Sequence, residues 1–223
     1  MIKPDILAQI TELGIPDTGG FVEKCARLQA MLRRENEIHN LTRITSDDDF
    51  WIKHIYDSAA ILRAVPELAS GIRIRIGDIG CGAGFPSIVL ACAFPSIQVT
   101  AIDSNGKKAE FVAKASAELG LANLKAVKGR ARELSARPEW QGRFDIVTAR
   151  AVAASQEICK ETRKMLASGG RFVFYKTPSQ AAEEMKVLPL LAGGYSWTTG
   201  PAFELPLGMG SRIFVIGSAP STQ

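Results

Sequence analysis

The sequence predicts a doubly wound α/β fold: a mostly parallel sheet between helices, preceded by a helical cap and ended by an antiparallel hairpin. Three observations carry the prediction. Short β-branched runs alternate with helix-period segments from Ile72 onward. A glycine run, Asp78-Ile79-Gly80-Cys81-Gly82-Ala83-Gly84, stands where the first strand of such a fold turns into its first helix. The last strand-like run follows its predecessor across Gly208-Met209-Gly210, a link too short for a parallel crossover.

Residues 1–70 read as the cap and 71–223 as the α/β domain, with the boundary near Ser70-Gly71. Ile6, Leu7, Ile10 and Leu13 make an apolar stripe that stops at Gly14, and Pro16 blocks its continuation. Phe21, Cys25, Leu28 and Leu32 recur at helical spacing on one face of a second helix. The Asp47-Asp48-Asp49 cluster suits the positive end of a third, which carries Trp51, Ile55 and Ile61 inward. The strands follow at 74–79, 99–103, 124–127, 144–148 and 171–175, and the hairpin pairs 203–207 with 212–216.

With 223 residues, 46% hydrophobic, 22% charged and 7% aromatic, the chain has a sizeable core, which excludes disordered and fibrous classes. A formal charge of +4 permits a polyanionic partner without demanding one. Cys25, Cys81, Cys92 and Cys159 stand at no metal-ligand or CxxC spacing, so they read as reduced thiols and no metal site is expected. No apolar run approaches the ~18 residues of a membrane span, and the first residues, with Lys3, Asp5 and Glu12, lack a signal-peptide core. The expectation is a cytoplasmic chain that stays off the membrane.

The glycine run is the strongest chemical signal. Glycines let the backbone approach a ligand without Cβ clashes, and the following helix offers free N–H groups, so a nucleotide-like cofactor is implied. Two details separate a methyl donor from a nicotinamide dinucleotide. The sixth position of the GxGxxG or GxGxxA fingerprint is Phe85, and Asp78 stands two residues before the first glycine. A carboxylate there disfavours a pyrophosphate and suits the ammonium and sulfonium of S-adenosylmethionine. Asp103 ends the second strand, where doubly wound folds place an acid for both ribose hydroxyls; dehydrogenases share this, so Asp103 supports an adenosine cofactor without naming it.

Arg150 ends the fourth strand, where this fold brings catalytic groups to the cofactor. On a regular helix His54 meets Asp57 and Ser58 at i+3 and i+4, so a structural hydrogen-bonded histidine stands beside a place at the pocket rim. Lys107 and Lys108 open the helix after Asp103, and Arg33, Arg34, Arg43 and Lys53 punctuate the cap. With Lys176 they border the open end of the sheet and suit a phosphate backbone, a solvated basic face being the plain alternative for any one of them. Aromatic residues are too sparse among them for a base-stacking platform.

Taken in order, Asn40-Leu41-Thr42, His54-Ile55-Tyr56-Asp57-Ser58, Asp78 through Pro86, Asp103-Ser104-Asn105-Gly106-Lys107-Lys108, Gly129-Arg130-Ala131 and Arg150-Ala151 resemble a known family, the bacterial small-subunit ribosomal RNA guanine-N7 methyltransferases, RsmG or GidB. The resemblance covers about residues 36–176. It implies the class I S-adenosylmethionine-dependent methyltransferase fold, S-adenosylmethionine as cofactor, and ribosomal RNA or the small ribosomal subunit as partner. The reaction it implies is methylation of N7 of one guanine in small-subunit (16S) ribosomal RNA.

By that resemblance Gly80 and Phe85 line the methionine side, Asp103 holds the ribose, and Ala131 and Arg132 border the adenine. Arg150 reaches the cofactor or the target base, positioning it without acting as a general base. Asp78, Gly82 and Gly84 complete the cofactor set, and Asn40, His54, Lys107, Lys108 and Lys176 make the substrate set. The chain departs from the family pattern at Arg132, where a Glu usually follows the Arg-Ala pair, which leaves Glu133 as the other neighbour for the adenine. Ser87 and Thr177 stand where the family has glycines.

The residue types agree with N7 chemistry. Methylation at cytosine C5 needs a thiolate, and exocyclic amines usually need an Asn/Asp-Pro-Pro-aromatic tetrad; Cys81 lies inside the glycine turn, and no such tetrad follows the fourth strand. Guanine N7 already carries a free in-plane lone pair, so its methylation needs alignment rather than proton removal. The competing readings are a methyltransferase acting on a protein or small molecule, a non-catalytic RNA-binding assembly factor on the same scaffold, and an NAD-dependent oxidoreductase, which Phe85 and Asp78 disfavour.

Overall fold

The computed structural model describes residues 2–39, 41–42, 46–191 and 193–219. The chain opens with helices α1 (Pro4–Glu12) and α2 (Thr18–His39). Next comes one continuous helical run: α3 (Asp47–Asp49), a wider π-helical turn over Phe50–Tyr56, and α4 (Asp57–Ala59). Ser46 caps this run by accepting the Asp49 N–H at 3.1 Å. The alternation then gives β1 (Arg75–Ile79), α5 (Ser87–Ala93), β2 (Gln98–Asp103), α6 (Gly106–Glu118), β3 (Leu124–Lys128), α7 (Ala131–Ser135), β4 (Phe144–Arg150), α8 (Ser155–Thr162), β5 (Leu166–Lys176) and α9 (Pro178–Glu184). Three strands finish the chain: β6 (Ser196–Thr199), β7 (Phe203–Glu204) and β8 (Ser211–Ser218).

The sheet order is β3-β2-β1-β4-β5-β8-β6, parallel from β3 to β5, with β8 antiparallel to both β5 and β6. Strand order reverses between β1 and β4, and ligands of doubly wound sheets bind outside the carboxyl ends at such a switch point. The terminal hairpin is present but short, pairing Phe203 with Arg212 and Glu204 with Ser211. β8 instead spends its length on β5 and on β6, a strand the sequence reading lacked; β6 has four residues, and its one inward side chain, Trp197, gives no alternation to detect.

One apolar cluster fills the face covered by α5 and α6, and the N-terminal helices join it: Ile6, Phe21, Leu28, Trp51 and Ile55 are buried with Ile76, Leu90 and Val99. Each such side chain contributes roughly 1.5–3 kcal/mol of transfer free energy, so the cap is held chiefly by apolar burial. Leu7 does not join: the stripe turns it outward, and it is 36% exposed. A second cluster, with Phe144, Met165, Phe172 and Leu188, lies on the other face under α7, α8 and α9. Gly77 on β1 makes that packing possible, because a Cβ there would stand 2.7 Å from the Phe144 ring. Among the described residues no helix is long and apolar enough to cross a membrane.

Candidate active site

The glycine loop is fastened to the end of β2. Gly80 and Cys81 donate their N–H groups to the Ile102 carbonyl at 2.8 and 3.1 Å. Asp103 then uses both carboxylate oxygens: Oδ2 accepts the Gly82 N–H at 2.9 Å and Oδ1 the Asn105 N–H at 2.8 Å. Asn105 in turn caps α6 by accepting the N–H groups of Lys107 and Lys108. One carboxylate therefore sets the loop against the start of the next helix, and each of its oxygens keeps a lone pair for a ligand.

Asp78 lies beneath this loop, fully buried. Its Oδ2 accepts the backbone N–H of Ser87 at 3.2 Å and the Ser87 hydroxyl, while Oδ1 has no partner. Burial raises its pKa to about 6, against the lowering effect of the Ser87 bonds and of Arg150. Gly84, at φ +90°, lets the side chain of Ile88 close against the loop, where a Cβ would come within 2.3 Å of it.

Two adjoining cavities lie above the loop. The larger, about 810 Å³, is lined by Gly80, Asp103, Lys108, Ala131, Arg132 and Glu133 among others. The smaller, about 460 Å³, includes His54, Asp57, Phe85, Arg150, Lys176 and Arg212 in its wall. Gly80, Lys108 and Ala151 border both. Ala151 holds φ +54°, a left-handed conformation uncommon outside glycine, at the junction where β4 ends.

The wall of the smaller cavity is a polar network between the cap and the sheet. The His54 ring stacks on Phe85 with centroids 3.9 Å apart and planes 4° from parallel. Arg150 Nη2 lies 3.2 Å from His54 Nδ1, and a guanidinium can only donate, so Nδ1 accepts and the ring proton sits on Nε2, 3.2 Å from Thr42 Oγ1. Burial, reinforced by the Arg150 charge, holds the His54 pKa down to about 3, so the ring is neutral near pH 7. Arg150 Nη1 also donates to the Lys53 carbonyl and to Asp57 Oδ2, the latter at 3.1 Å. Asp57 further accepts Arg212 Nε at 3.1 and 3.2 Å, and the Tyr175 hydroxyl donates to the Ser58 carbonyl at 2.7 Å.

The chain matches the GidB family, "rRNA small subunit methyltransferase G", over residues 22–189. It belongs to that family. A Lactobacillus delbrueckii subsp. bulgaricus protein named "Ribosomal RNA small subunit methyltransferase G" is 39% identical over 156 residues, 70% of this chain and 64% of its own length. This chain thus matches less than two thirds of that relative. The Lactococcus lactis subsp. cremoris protein of the same name is 34% identical over 226 residues, 100% of this chain and 93% of its own. The crystal structure of a SAM dependent methyltransferase from Aquifex aeolicus superposes with a TM-score of 0.54 at 16% identity, covering 74% of this chain and 95% of that one, which shows a shared fold.

In this GidB-family chain the anticipated residues divide into groups. Gly80, Asp103, Ala131 and Arg132 line the larger cavity, and Glu133 lines it too. Gly80, Gly82, Phe85, His54, Arg150 and Lys176 line the smaller one, and Lys108 faces both. Asp78 and Gly84 support the loop from behind and line neither; Lys107 is exposed and also lines neither. Lys176 is not a free cation, because its Nζ donates to Glu184 at 2.8 Å with both side chains largely buried. His54 does not pair with Asp57 or Ser58; its partners are Arg150 and Thr42. Asn40 and Arg43 lie outside the described residues. Sequence reasoning placed Asp57 only as a partner for His54 and gave no role to Arg212, for which only its place on an inward strand offered a signal. Among the described residues no cluster of His, Cys, Asp and Glu could hold a metal ion.

Proposed function

We propose that this chain transfers a methyl group from S-adenosylmethionine to N7 of one guanine in small-subunit ribosomal RNA. The observation that carries the proposal is the pairing of a nucleoside-sized cavity around Asp103 with a cationic basin whose wall, among the described residues, holds no available proton acceptor. The cavity suits an adenosine in size and donor set. Asp103 accepts the ribose hydroxyls, Ala131 with Arg132 or Glu133 borders the adenine, and Gly80 and Phe85 line the methionine side. Asp78 acts from beneath the loop, its charge complementary to the cationic donor across a low-dielectric interior.

S-adenosylmethionine supplies an electrophilic methyl group on a sulfonium. The chain has only to hold the base and exclude water, because N7 needs no proton removed. His54 is neutral, donates toward Thr42 and is consumed by Arg150, so it serves as a flat wall and a brace. Asp57 is occupied by two arginines. The Cys81 thiol, its pKa pushed far up by burial and by Asp78, is no nucleophile. Arg150 is held over Phe85, 5.7 Å from the ring centroid, and positions the base or the donor.

The test is chemical. N7 methylation leaves a fixed positive charge on the base and makes its imidazolium ring prone to reduction and base loss. Small-subunit ribosomal RNA treated with the protein and S-adenosylmethionine therefore breaks at one guanine after borohydride and aniline, and untreated RNA does not. Arg150→Ala lowers the break on the order of a hundredfold through misplacement of about 1 Å. Methyl incorporation without scission overturns the N7 assignment, and no incorporation overturns the ribosomal RNA reading.

A further inference from the structure

At the opposite end of the sheet, a groove of about 410 Å³ runs across the first residues of β3, β2, β1 and β4. Arg73, Arg75, Lys125 and Arg143 line it, and among the described residues no carboxylate does. It exists because its face is thinly covered. The register pairs Thr100 with Lys125 and with Gly77, and Gly77 faces Phe144, so these residues share one side of the sheet. On that side the β3 to β4 connection offers only the five residues of α7 and a single turn, Pro138–Trp140, whereas α6 on the other side has 13.

The cations are not spent on one another's behalf. Asp145 binds the Arg75 guanidinium at 2.7 and 3.1 Å and its backbone N–H at 2.8 Å. Arg143 lies over the Trp140 ring at 5.0 Å. Arg73 and Lys125 have no hydrogen-bond or ion-pair partner among the described residues, and both are exposed. Four adjacent strand starts spread these charges over roughly 14 Å, too wide for one small anion. That width matches a nucleic-acid backbone, which carries a charge every few ångström. The cavities at the carboxyl ends differ, since Asp57, Asp103 and Glu133 line them.

We infer that this groove is a second RNA-binding surface, holding phosphates of the ribosomal RNA some distance from the methylated base. It rests on the functional reading above. β1 separates the two ends by roughly 17 Å, so a folded RNA reaches both without leaving the protein. The groove selects for a structured substrate: RNA that spans both ends gains contacts that a short oligonucleotide at the active site lacks.

The experiment compares the wild type with Arg73→Gln/Lys125→Gln, using small-subunit ribosomal RNA and a short oligonucleotide carrying the target guanine. The double variant binds the long RNA roughly tenfold more weakly, with the slope of log affinity against log salt flattened by about 1.4–1.8 for two lost phosphate contacts. Its affinity for S-adenosylmethionine by calorimetry and its affinity for the oligonucleotide stay at wild-type values. In the wild type, the long RNA shields Lys125 from an acylating reagent. An unchanged slope, or Lys125 acylated equally with and without RNA, overturns the inference. Absence of methyl transfer by the wild type to any ribosomal RNA overturns the functional reading instead.

Discussion

Replacing Asp57 by Asn keeps the shape of the side chain and removes the one anion that serves two arginines. Asp57 is 3% exposed in its side chain, Arg150 13% and Arg212 23%. An asparagine presents one carbonyl oxygen to two guanidinium donors and turns an N–H₂ group toward the other. Breaking a buried ion pair by removing one partner costs about 3–5 kcal/mol, and water reaching the partly open arginines returns some of it, leaving a loss of about 3 kcal/mol. For a chain of this size that lowers Tm by roughly 6–12 °C. Urea unfolding gives the free energy and calorimetry the Tm. Arg212→Gln added to Asp57→Asn removes the orphaned cation, so the double variant is more stable than the sum of the single losses predicts, by about 1 kcal/mol or more. A single variant within about 0.5 kcal/mol of wild type, or strictly additive losses, would refute the reasoning.

Three further outcomes follow. Asp103→Ala removes the proposed ribose acceptor and the latch on Gly82, and on that proposal weakens S-adenosylmethionine binding about ten- to a hundredfold; unchanged affinity in calorimetry removes Asp103 from that role. Gly77→Ala forces a methyl group into the Phe144 ring and costs about 1–3 kcal/mol by overpacking, read as a lower urea midpoint at unchanged slope; a neutral result means the ring moves freely. His54 and Asp78 bend the pH dependence of stability in opposite senses. The His54 pKa falls from 6.5 to about 3 on folding, so its stability contribution is full above pH 6.5 and is lost on acidification toward 3. The Asp78 pKa rises from 3.8 to about 6, so its contribution is full below 3.8 and fades as pH rises through 6. Relative to wild type, His54→Gln therefore gains stability as pH drops below 6.5 and Asp78→Asn loses it below 6; melts showing the same trend in both variants contradict these assignments.

What the sequence made legible was local in the chain. The β-branched runs, the glycine turn and Asp103 at a strand end each declare themselves within a few residues, and their order fixes the parallel sheet. What stayed hidden depends on distant contacts or on a broken period. At 3.6 residues per turn His54 faces Asp57 and Ser58, but Phe50–Tyr56 forms a π-helical turn, and the side chains leave that register. In the sequence Lys176 stands free, because its partner Glu184 meets it only once α9 folds back over the end of β5. Arg212 reaches Asp57 from the far end of the chain, and no spacing rule connects them. The sequence places Asp78 beside the donor, but its burial beneath the loop, bonded to Ser87, is a property of the closed loop that no spacing shows.

The cap and the sheet meet through two kinds of contact. Away from the site they share apolar residues such as Leu28 and Leu90, which stabilise without directing. At the site they meet through Arg150 with Asp57 and His54, Tyr175 with Ser58, and the His54–Phe85 stack. Buried polar pairs add little net stability against an apolar replacement, but each is satisfied in only one arrangement. A reaction that depends on alignment rather than on proton transfer gains most where that arrangement is fixed. The network lies where the larger cavity meets the basin, so under the proposed reaction the placement of the cap relative to the methyl donor is set by directional bonds at the one place where a displacement of an ångström decides the rate.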